Sequence, residues 1–374
     1  MHTHTSPSPS SLTAERMTTN KDPLAVIAED TPAFSDEEAI SVARDRYGLD
    51  VSARLLVSER DQNFQLGATD GRQYVLKIAN LSEPREVTEF QIKALINIAA
   101  HIAAHGTPIN APIVLETLDG ASHTMLSAPG GEHVGRVVSF VDGAPIGDRQ
   151  PTANLCRNMG TYLAHLGIAL RDFEHSGSGQ VLLWDLQRAL SLRDLLDHIS
   201  KESVRQNVAE ALNDFEEFAL PNFSEVRRQV IHSDFNPDNV LTDPAHPDVV
   251  VGVIDFGDML AAPLVADVAI GASYVQPRDG DPLALIAEFL AGYHSVTPLM
   301  LDEVDMLFEL IKARLCASIA ITYWRGPFRG PGDPYLEKNL SSELYTEHFL
   351  AQLKAIPREN AVQTFRQVCA STAR

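Results

Sequence analysis

The chain has 374 residues, 44% of them hydrophobic, and a formal net charge of -20. This length suits two domains or one large bilobal unit, and the apolar content argues against a disordered or fibrous chain. The negative charge argues against nucleic acid and anionic membranes as partners. No stretch of the sequence approaches the ~20 consecutive apolar residues of a membrane span.

Cysteine usage and the opening residues bear on location. Cys156, Cys316 and Cys369 are far apart and form no metal-binding pattern, which predicts a reducing, cytoplasmic environment. The opening of the chain is rich in Ser and Thr and lacks the apolar core of a secretory signal. We expect residues 1–33 to form a disordered tail.

The first predicted element is a short helix in "FSDEEAISVARDRYG". Ser35 is expected as the N-cap, and Glu38 completes a capping box three residues later. Gly48 follows the last turn, where a left-handed residue commonly ends a helix. These signals predict both ends of the helix.

A sheet and a long helix are predicted next. "VSARLLV", "FQLGA" and "QYVLKIA" are typical of strands, and the Asp70-Gly71 pair between the last two favours a tight hairpin turn. The three strands are therefore expected to form an antiparallel meander. "PREVTEFQIKALINIAAHIAAHG" carries apolar residues at helical spacing, and "GRVVSFVDGAPI" predicts a further strand followed by a turn.

The second half of the chain is predicted to be mainly helical, from about residue 151 to 218 and again from Asp281 to the end. Between these parts lies a short β region that includes "VIHSDFNPDNVL". The apolar runs "NVLT" and "VVVGVID" are joined by "DPAHPD", whose prolines and aspartates predict a turn centred near Ala245. An antiparallel hairpin of these runs brings Asp255 beside residues 234–236.

This hairpin is expected to collect three oxygen-bearing side chains, those of Asp234, Asn239 and Asp255. Mg2+ takes oxygen ligands, usually one or two carboxylates together with water and substrate phosphate. Asn239 and Asp255 are expected to hold Mg2+, and Asp234 to accept the proton of an attacking hydroxyl. The order His-x-Asp-x-x-x-x-Asn and then Asp-Phe-Gly is typical of kinases. The alternative is an ordinary polar turn.

Two charged residues upstream are candidates for the nucleotide site. Lys77 alternates with the apolar residues of "YVLKI", so it is expected to face inward over the sheet and hold the α- and β-phosphates. Glu89 on the following helix is placed to pair with Lys77. Two alternatives stay open: an exposed pair of Glu89 with Lys93 at helical spacing, and Glu86 as a competitor.

Two backbone segments complete the predicted nucleotide site. The turn "SERDQN" is expected to cover the phosphates with its N–H groups and with the side chains of Ser58 and Asn63. "VVSFVDG" is the expected hinge, where the backbone from Ser139 to Val141 meets the edge of the base.

"RDQNF", "YVLKIAN", "IHSDFNPDNVL" and "VIDFGD" resemble motifs of the aminoglycoside phosphotransferase family, and within it those of the hydroxylysine kinases. The likeness covers roughly residues 51–350. It implies an α+β fold of the bilobal protein-kinase-like type. The N-lobe, residues 34–141, is then a small antiparallel sheet with one main helix that binds the nucleotide. The C-lobe, residues 142–374, is larger, mainly helical, and carries the catalytic β-hairpin and the substrate site.

The resemblance also implies a reaction, the Mg2+-dependent transfer of the γ-phosphate of ATP or GTP to a hydroxyl. Matching positions make Asp234 the catalytic base, Asn239 and Asp255 the metal ligands, and Lys77 the phosphate lysine. The chain departs from the pattern at Ser233, where relatives usually have glycine. A side chain at this position is expected to crowd the loop.

The acceptor is expected to be a small hydroxylated amino acid or amine. The region after Asp-Phe-Gly is too short for the activation segment of a protein kinase. Asp258 is the candidate for an ammonium group, while Arg325 and Tyr335 of "YWRGPFRGPGDPYL" are expected to close over the substrate. The alternatives are a turn-capping Asp258 and a surface loop packed by its aromatics.

Several functions remain open at this point. The preferred acceptor is 5-hydroxy-L-lysine, with homoserine, choline-like and aminoglycoside hydroxyls as alternatives. A nucleotide-binding pseudokinase without turnover is a second class, and a metal-dependent phosphohydrolase, which leaves Lys77 unexplained, is a third. Asp267 is expected to support the catalytic loop rather than touch the substrate.

Overall fold

The computed structural model describes residues 31–58, 60–326 and 334–372, and within these it leaves out the side chains of 334–343. A sheet-rich lobe is followed by a larger, mainly helical lobe. The predicted tail lies almost wholly outside the described residues, and the exact lobe boundary stays a prediction.

The small lobe is a five-stranded antiparallel sheet in the order β1-β2-β3-β5-β4, flanked by two helices. Its elements are α1 (Asp36–Tyr47), β1 (Val51–Leu56), β2 (Gln62–Ala68), β3 (Gln73–Ile78), α2 (Arg85–His105), β4 (Thr124–Ala128) and β5 (Gly131–Ser139). The meander β1-β2-β3 confirms the prediction. β4 was not predicted, because its five residues contain a single buried side chain, Leu126.

Both predicted ends of α1 are confirmed. The hydroxyl of Ser35 accepts the N–H of Glu38 at 3.2 Å, and the Glu38 carboxylate accepts the N–H of Ser35 at 2.8 Å. Gly48 adopts φ 68° after the last turn. The capping box satisfies two backbone donors that the first turn of a helix otherwise leaves unpaired.

The large lobe surrounds short sheets with helices. Its elements are β6 (Ala144–Pro145), α3 (Ala153–Leu170), α4 (Glu202–Asp214), α5 (Leu220–Phe223), β7 (Arg228–Ile231), β8 (Val240–Thr242), β9 (Val250–Val253), β10 (Leu260–Pro263), α6 (Leu264–Ser273), α7 (Ala284–Val296), α8 (Leu301–Arg325), α9 (Pro334–Lys354) and α10 (Arg358–Thr372). α6 begins before Asp281, earlier than predicted.

The chain between α3 and α4 departs from the helical prediction. It contains the 3₁₀ segments Ser176–Gly179 and Leu186–His198 instead of α-helix. A Cβ at Gly177 would lie 2.4 Å from the Glu86 carbonyl oxygen, so the chain passes directly against α2. The run Ser-Gly-Ser-Gly permits this approach and disfavours a continuous helix.

The catalytic-motif hairpin forms, with a small error in its predicted centre. Val240 pairs with Val253 and Leu241 with Gly252. The N–H of Ile254 donates to Asn239 O at 2.9 Å, which continues the pairing to the residue before Asp255. After a register shift at Leu241, Thr242 pairs with Val250, which centres the turn on His246 instead of Ala245.

Two clusters of buried apolar side chains form the hydrophobic cores of the lobes. The smaller one joins α1 to the first strands. The larger one fills the helical lobe and also includes Phe90, Ala94, Leu95 and Ile98 of α2. This helix therefore packs on the large lobe and fixes the sheet over the hairpin. None of the helices in the described part of the chain is long and apolar enough to cross a membrane.

Candidate active site

Asp234 and Asn239 are joined by hydrogen bonds in the loop between β7 and β8. The amide nitrogen of Asn239 donates to Asp234 Oδ2 at 2.7 Å and to Asp234 O at 3.0 Å. The side chain of Asn236 accepts the N–H groups of Asp238 and Asn239 at 2.9 and 3.1 Å. Because its nitrogen is engaged by Asp234, Asn239 keeps its amide oxygen as an acceptor for a cation.

Asp267 supports this loop through hydrogen bonds to its backbone, as predicted. Its carboxylate on α6 accepts the N–H of His232 at 3.1 Å and that of Ser233 at 2.8 Å. The His232 ring bonds to Ile254 O at 3.1 Å through Nε2 and so ties the loop to the strand that leads to Asp255. These buried contacts set the relative positions of the two halves of the motif.

Ser233 has a left-handed backbone conformation, with φ 65°, and is buried. Residues other than glycine pay about 1–2 kcal/mol for this conformation, since Cβ crowds the carbonyl oxygen. This accounts for the expected glycine at this position. The loop keeps its shape because Asp267 holds the N–H of Ser233.

The Ser233→Gly variant is expected to raise the melting temperature by about 1–3 °C, because relief of strain exceeds the added entropy of the unfolded chain. Thermal unfolding of both proteins measures this. Ser273→Gly is the matched control, since Ser273 is equally buried but lies in helix α6, where glycine lowers stability. A lower melting temperature for Ser233→Gly would show that the serine side chain stabilises the loop.

Asp255 faces the cleft at the end of β9. Its side chain is 54% exposed, and the Lys77 ammonium lies 3.5 Å from Oδ1. Lys77 lowers the pKa of Asp255 to about 2, against the effect of desolvation, and Arg60 and His232 contribute in the same direction as Lys77. The carboxylate is therefore ionised at neutral pH, as a ligand of a hard cation must be.

The predicted pairing of Glu89 with Lys77 is wrong. Glu89 is 41% exposed and pairs with Arg85 at 3.0 Å, one turn earlier on α2. Two residues correspond to about 200° around a helix, so Gln91 occupies the opposite, inner face. Gln91 donates to Gly257 O at 3.3 Å and accepts from Arg136 at 2.6 Å. Gln91 is thus the helix residue that contacts the Asp-Phe-Gly loop.

Asn63 and Lys77 are cross-strand neighbours on β2 and β3, so their side chains share the face above the hairpin. The Asn63 side-chain oxygen is buried and has no hydrogen-bond partner among the residues that the structure describes. Such an acceptor suits a bound ligand or water. Ser58 lies in the turn that precedes β2 and is half-buried.

Two backbone N–H groups of the predicted hinge are engaged within the chain. The N–H of Ser139 donates to Ile113 O at 2.8 Å, and that of Phe140 to Gln73 O at 3.1 Å. The Ser139 hydroxyl accepts the N–H of Ile113 at 2.9 Å. Ser139 is therefore tied to the neighbouring chain and cannot offer its N–H to a base. Val141 stays a candidate for that contact.

Arg60 is a site residue that sequence reasoning missed, although it lies within the quoted turn "SERDQN". Its guanidinium forms an ion pair with Asp258 and lies 5.6 Å from the centre of the Trp184 ring. The backbone of Arg60 is anchored by the amide of Asn80, which donates to Arg60 O at 3.2 Å. The Arg60–Asp258 ion pair links the turn "SERDQN" to the loop after Asp-Phe-Gly. Asp258 therefore has a partner within the chain.

Arg314, in the middle of α8, is a second missed residue. Its Nη2 lies 3.7 Å from Asp234 Oδ1. Burial raises the pKa of Asp234 to about 7; the charge of Asp258 adds to the rise and Arg314 opposes it. No sequence pattern pointed to Arg314, because it is one of several charged residues in a largely buried helix, eighty positions after Asp234.

Arg325, which was predicted to close over the substrate, does not lie at the site. Arg325 is buried at the end of α8, eleven residues beyond Arg314. This separation is about 16 Å along the helix axis, at roughly 1.5 Å per residue. The structure therefore does not bring Arg325 to Asp234. The side chain of Tyr335 lies outside the described residues.

The two lobes and the carboxylates between them define a kinase of the protein-kinase-like fold. The sequence model of the phosphotransferase enzyme family (APH) matches residues 52–307. The chain belongs to this family, as its motifs predicted, and is a phosphotransferase that acts on a hydroxyl group.

Individual relatives agree with this assignment. Hydroxylysine kinase of Xenopus laevis is 26% identical over 342 residues, which cover 84% of this chain and 88% of the relative. Homoserine kinase of Brucella anthropi is 29% identical over 265 residues, 66% of this chain and 71% of the relative. A solved microcompartment-associated aminopropanol kinase superposes with a TM-score of 0.65 at 17% identity, over 85% of this chain and 97% of that one. This last likeness concerns the fold alone.

Proposed function

We propose that this chain is a Mg2+-dependent kinase that transfers the γ-phosphate of ATP or GTP to the hydroxyl of a small amino acid, with 5-hydroxy-L-lysine as the acceptor. One observation carries the proposal. Asp234, Asn239 and Asp255 converge at the end of one hairpin, beneath a sheet that presents Lys77 to Asp255 at 3.5 Å. The phosphohydrolase alternative leaves this pairing of Lys77 with Asp255 unexplained.

The nucleotide would lie between the sheet and the hairpin. Lys77 and the amide N–H groups of Asn63 would hold its phosphates, with the turn that carries Ser58 and Arg60 above them. The backbone of Val141 would meet the base. Lys77 and Arg60 are the two cationic side chains near Asp255. They suit the triphosphate, because they offset negative charge that accumulates during transfer.

Asn239 and Asp255 fit a Mg2+ ion, since they offer an amide oxygen and an ionised carboxylate, both hard ligands. When bound, Mg2+ would neutralise negative charge on the phosphates. The pair supplies an incomplete ligand shell, which leaves room for phosphate and water.

Asp234 would orient the acceptor and take its proton. The hydroxyl oxygen of the acceptor attacks the γ-phosphorus while the bond from the γ-phosphorus to the β,γ-bridging oxygen breaks. The hydroxyl proton passes to Asp234 Oδ1 or Oδ2, and the nucleoside diphosphate leaves with the bridging oxygen. Asn239 holds the carboxylate in place through its bond to Oδ2.

The choice of acceptor rests on the hydroxylysine kinases, which cover more of this chain than the homoserine kinases do. Purified protein with Mg2+ and either ATP or GTP should phosphorylate 5-hydroxylysine in preference to homoserine, aminopropanol and an aminoglycoside. Turnover of homoserine alone would replace the acceptor and keep the chemistry. Nucleotide binding without transfer to any hydroxyl compound would favour the pseudokinase alternative.

The pH profile tests the environment of Asp234. Because this carboxyl must be ionised to accept a proton, kcat/KM is expected to rise with pH through about 7. Asp258→Asn removes a negative charge that raises the pKa of Asp234, so the rising limb should move to lower pH. Rate profiles at constant, saturating Mg2+ measure this. If kcat/KM of the variant rises at the same pH as that of the wild-type enzyme, or at a higher pH, the assignment of Asp234 as the titrating base is contradicted.

A further inference from the structure

Arg314 lies beside the catalytic carboxylate but is not fully engaged by it. Its side chain is 8% exposed, and Nη2 donates to Tyr274 Oη at 2.8 Å while the guanidinium lies 5.5 Å from the centre of the Tyr274 ring. The closest carboxylate oxygen, Asp234 Oδ1, is 3.7 Å from Nη2, beyond hydrogen-bonding distance. The guanidinium is therefore held in a fixed position at the edge of the site.

The remaining donors of Arg314 suit an anionic group of a ligand. A guanidinium has five N–H donors, and Nε of Arg314 is buried without a hydrogen-bond partner in the described ranges. Leaving a buried cation with unpaired donors is costly. An arginine in this state is suited to a carboxylate, which it can bind with two parallel hydrogen bonds after a small side-chain adjustment.

We propose that Arg314 binds the α-carboxylate of the acceptor and makes the enzyme specific for hydroxy amino acids over amino alcohols. The inference rests on the proposed function. An acceptor with its hydroxyl at Asp234 has its other end within the same cleft, where Arg314 attracts a carboxylate and repels an ammonium group. Arg314 thereby sets the direction in which the acceptor lies.

A different role for Arg314 makes a different prediction. If it served only as the counter-ion of Asp234, its replacement would slow all acceptors equally, whether or not they carry a carboxylate. If it binds the carboxylate, Arg314→Lys keeps the charge but loses the planar fork, and only carboxylate-bearing acceptors suffer in KM. The two roles are separated by acceptor preference.

The experiment compares 5-hydroxylysine with 1,5-diaminopentan-2-ol, the same molecule without its carboxylate. The wild-type enzyme is expected to prefer hydroxylysine by about 10- to 100-fold in kcat/KM. Arg314→Lys should lose most of this preference through a higher KM for hydroxylysine, with little change for the diamine. Arg227→Lys is the matched control, since Arg227 pairs with Glu303 in the same lobe and its replacement should leave the preference intact.

The outcomes separate the inference from the function on which it rests. Equal use of both acceptors by the wild-type enzyme would overturn the role of Arg314 and leave the kinase assignment standing. This comparison needs no variant, so equal use overturns the inference even if Arg314→Lys does not fold. If neither compound is phosphorylated, hydroxylysine is the wrong acceptor. Homoserine against 3-aminopropan-1-ol then tests Arg314, with preference for homoserine supporting it and equal use overturning it.

Discussion

Replacement of Asp234 by asparagine is expected to lower kcat by about 10²- to 10⁴-fold, because an amide cannot accept the proton of the acceptor hydroxyl. The fold should survive, since asparagine is close in size and can still bond to Asn239 after an amide flip. Steady-state transfer to the acceptor measures the loss. KM for the nucleotide should change little, because Asp234 is not assigned to the nucleotide or the metal.

Asp238→Asn is the matched control for this experiment. It makes the same chemical change four residues later in the same loop, at an exposed position. Activity close to that of the wild-type enzyme is expected. A similar loss in both variants would show that loop structure, and not proton transfer, is affected. Full activity of Asp234→Asn would remove Asp234 from the mechanism and favour another base.

The catalytic hairpin could be predicted because its information is local. Two β-branched runs with a proline-rich turn between them specify antiparallel pairing, and pairing fixes which residues meet. The centre was wrong by one residue, since "DPAHPD" allows more than one turn. Asn239 and Asp255 nevertheless lie close together, as predicted. Both are at the open end of the hairpin, where the two strands lead into the same cleft.

The contacts of Glu89 and Arg314 could not be read from the sequence. Glu89 and Gln91 are both polar residues beside an apolar stripe, and only the rotation of α2 against the large lobe decides which one faces the Asp-Phe-Gly loop. Arg314 lies 3.7 Å from Asp234 through the long-range packing of α8, for which the sequence carries no local signal. Sequence periodicity gives the buried face of a helix, but not its neighbours.

Asp255→Asn is expected to lower activity by about 10³-fold and to raise the Mg2+ concentration needed for half-maximal rate, since a neutral amide binds a hard cation weakly. The variant also deprives Lys77 of its partner at 3.5 Å. Lys77 would then pair with the nucleotide phosphates alone, so nucleotide binding without Mg2+ should be retained or strengthened. Calorimetric titration of nucleotide with and without Mg2+ separates these effects.

Asp243→Asn, at the opposite end of the same hairpin, controls for changes in hairpin stability and should leave the Mg2+ dependence unchanged. An Asp255→Asn enzyme with reduced activity but the Mg2+ dependence of the wild-type would contradict the metal-ligand assignment. Loss of nucleotide binding in the absence of Mg2+ would instead indicate that Asp255 mainly positions Lys77. The ion pair with Lys77 and the binding of Mg2+ are thus alternative roles of the Asp255 carboxylate. The titration with and without Mg2+ distinguishes them.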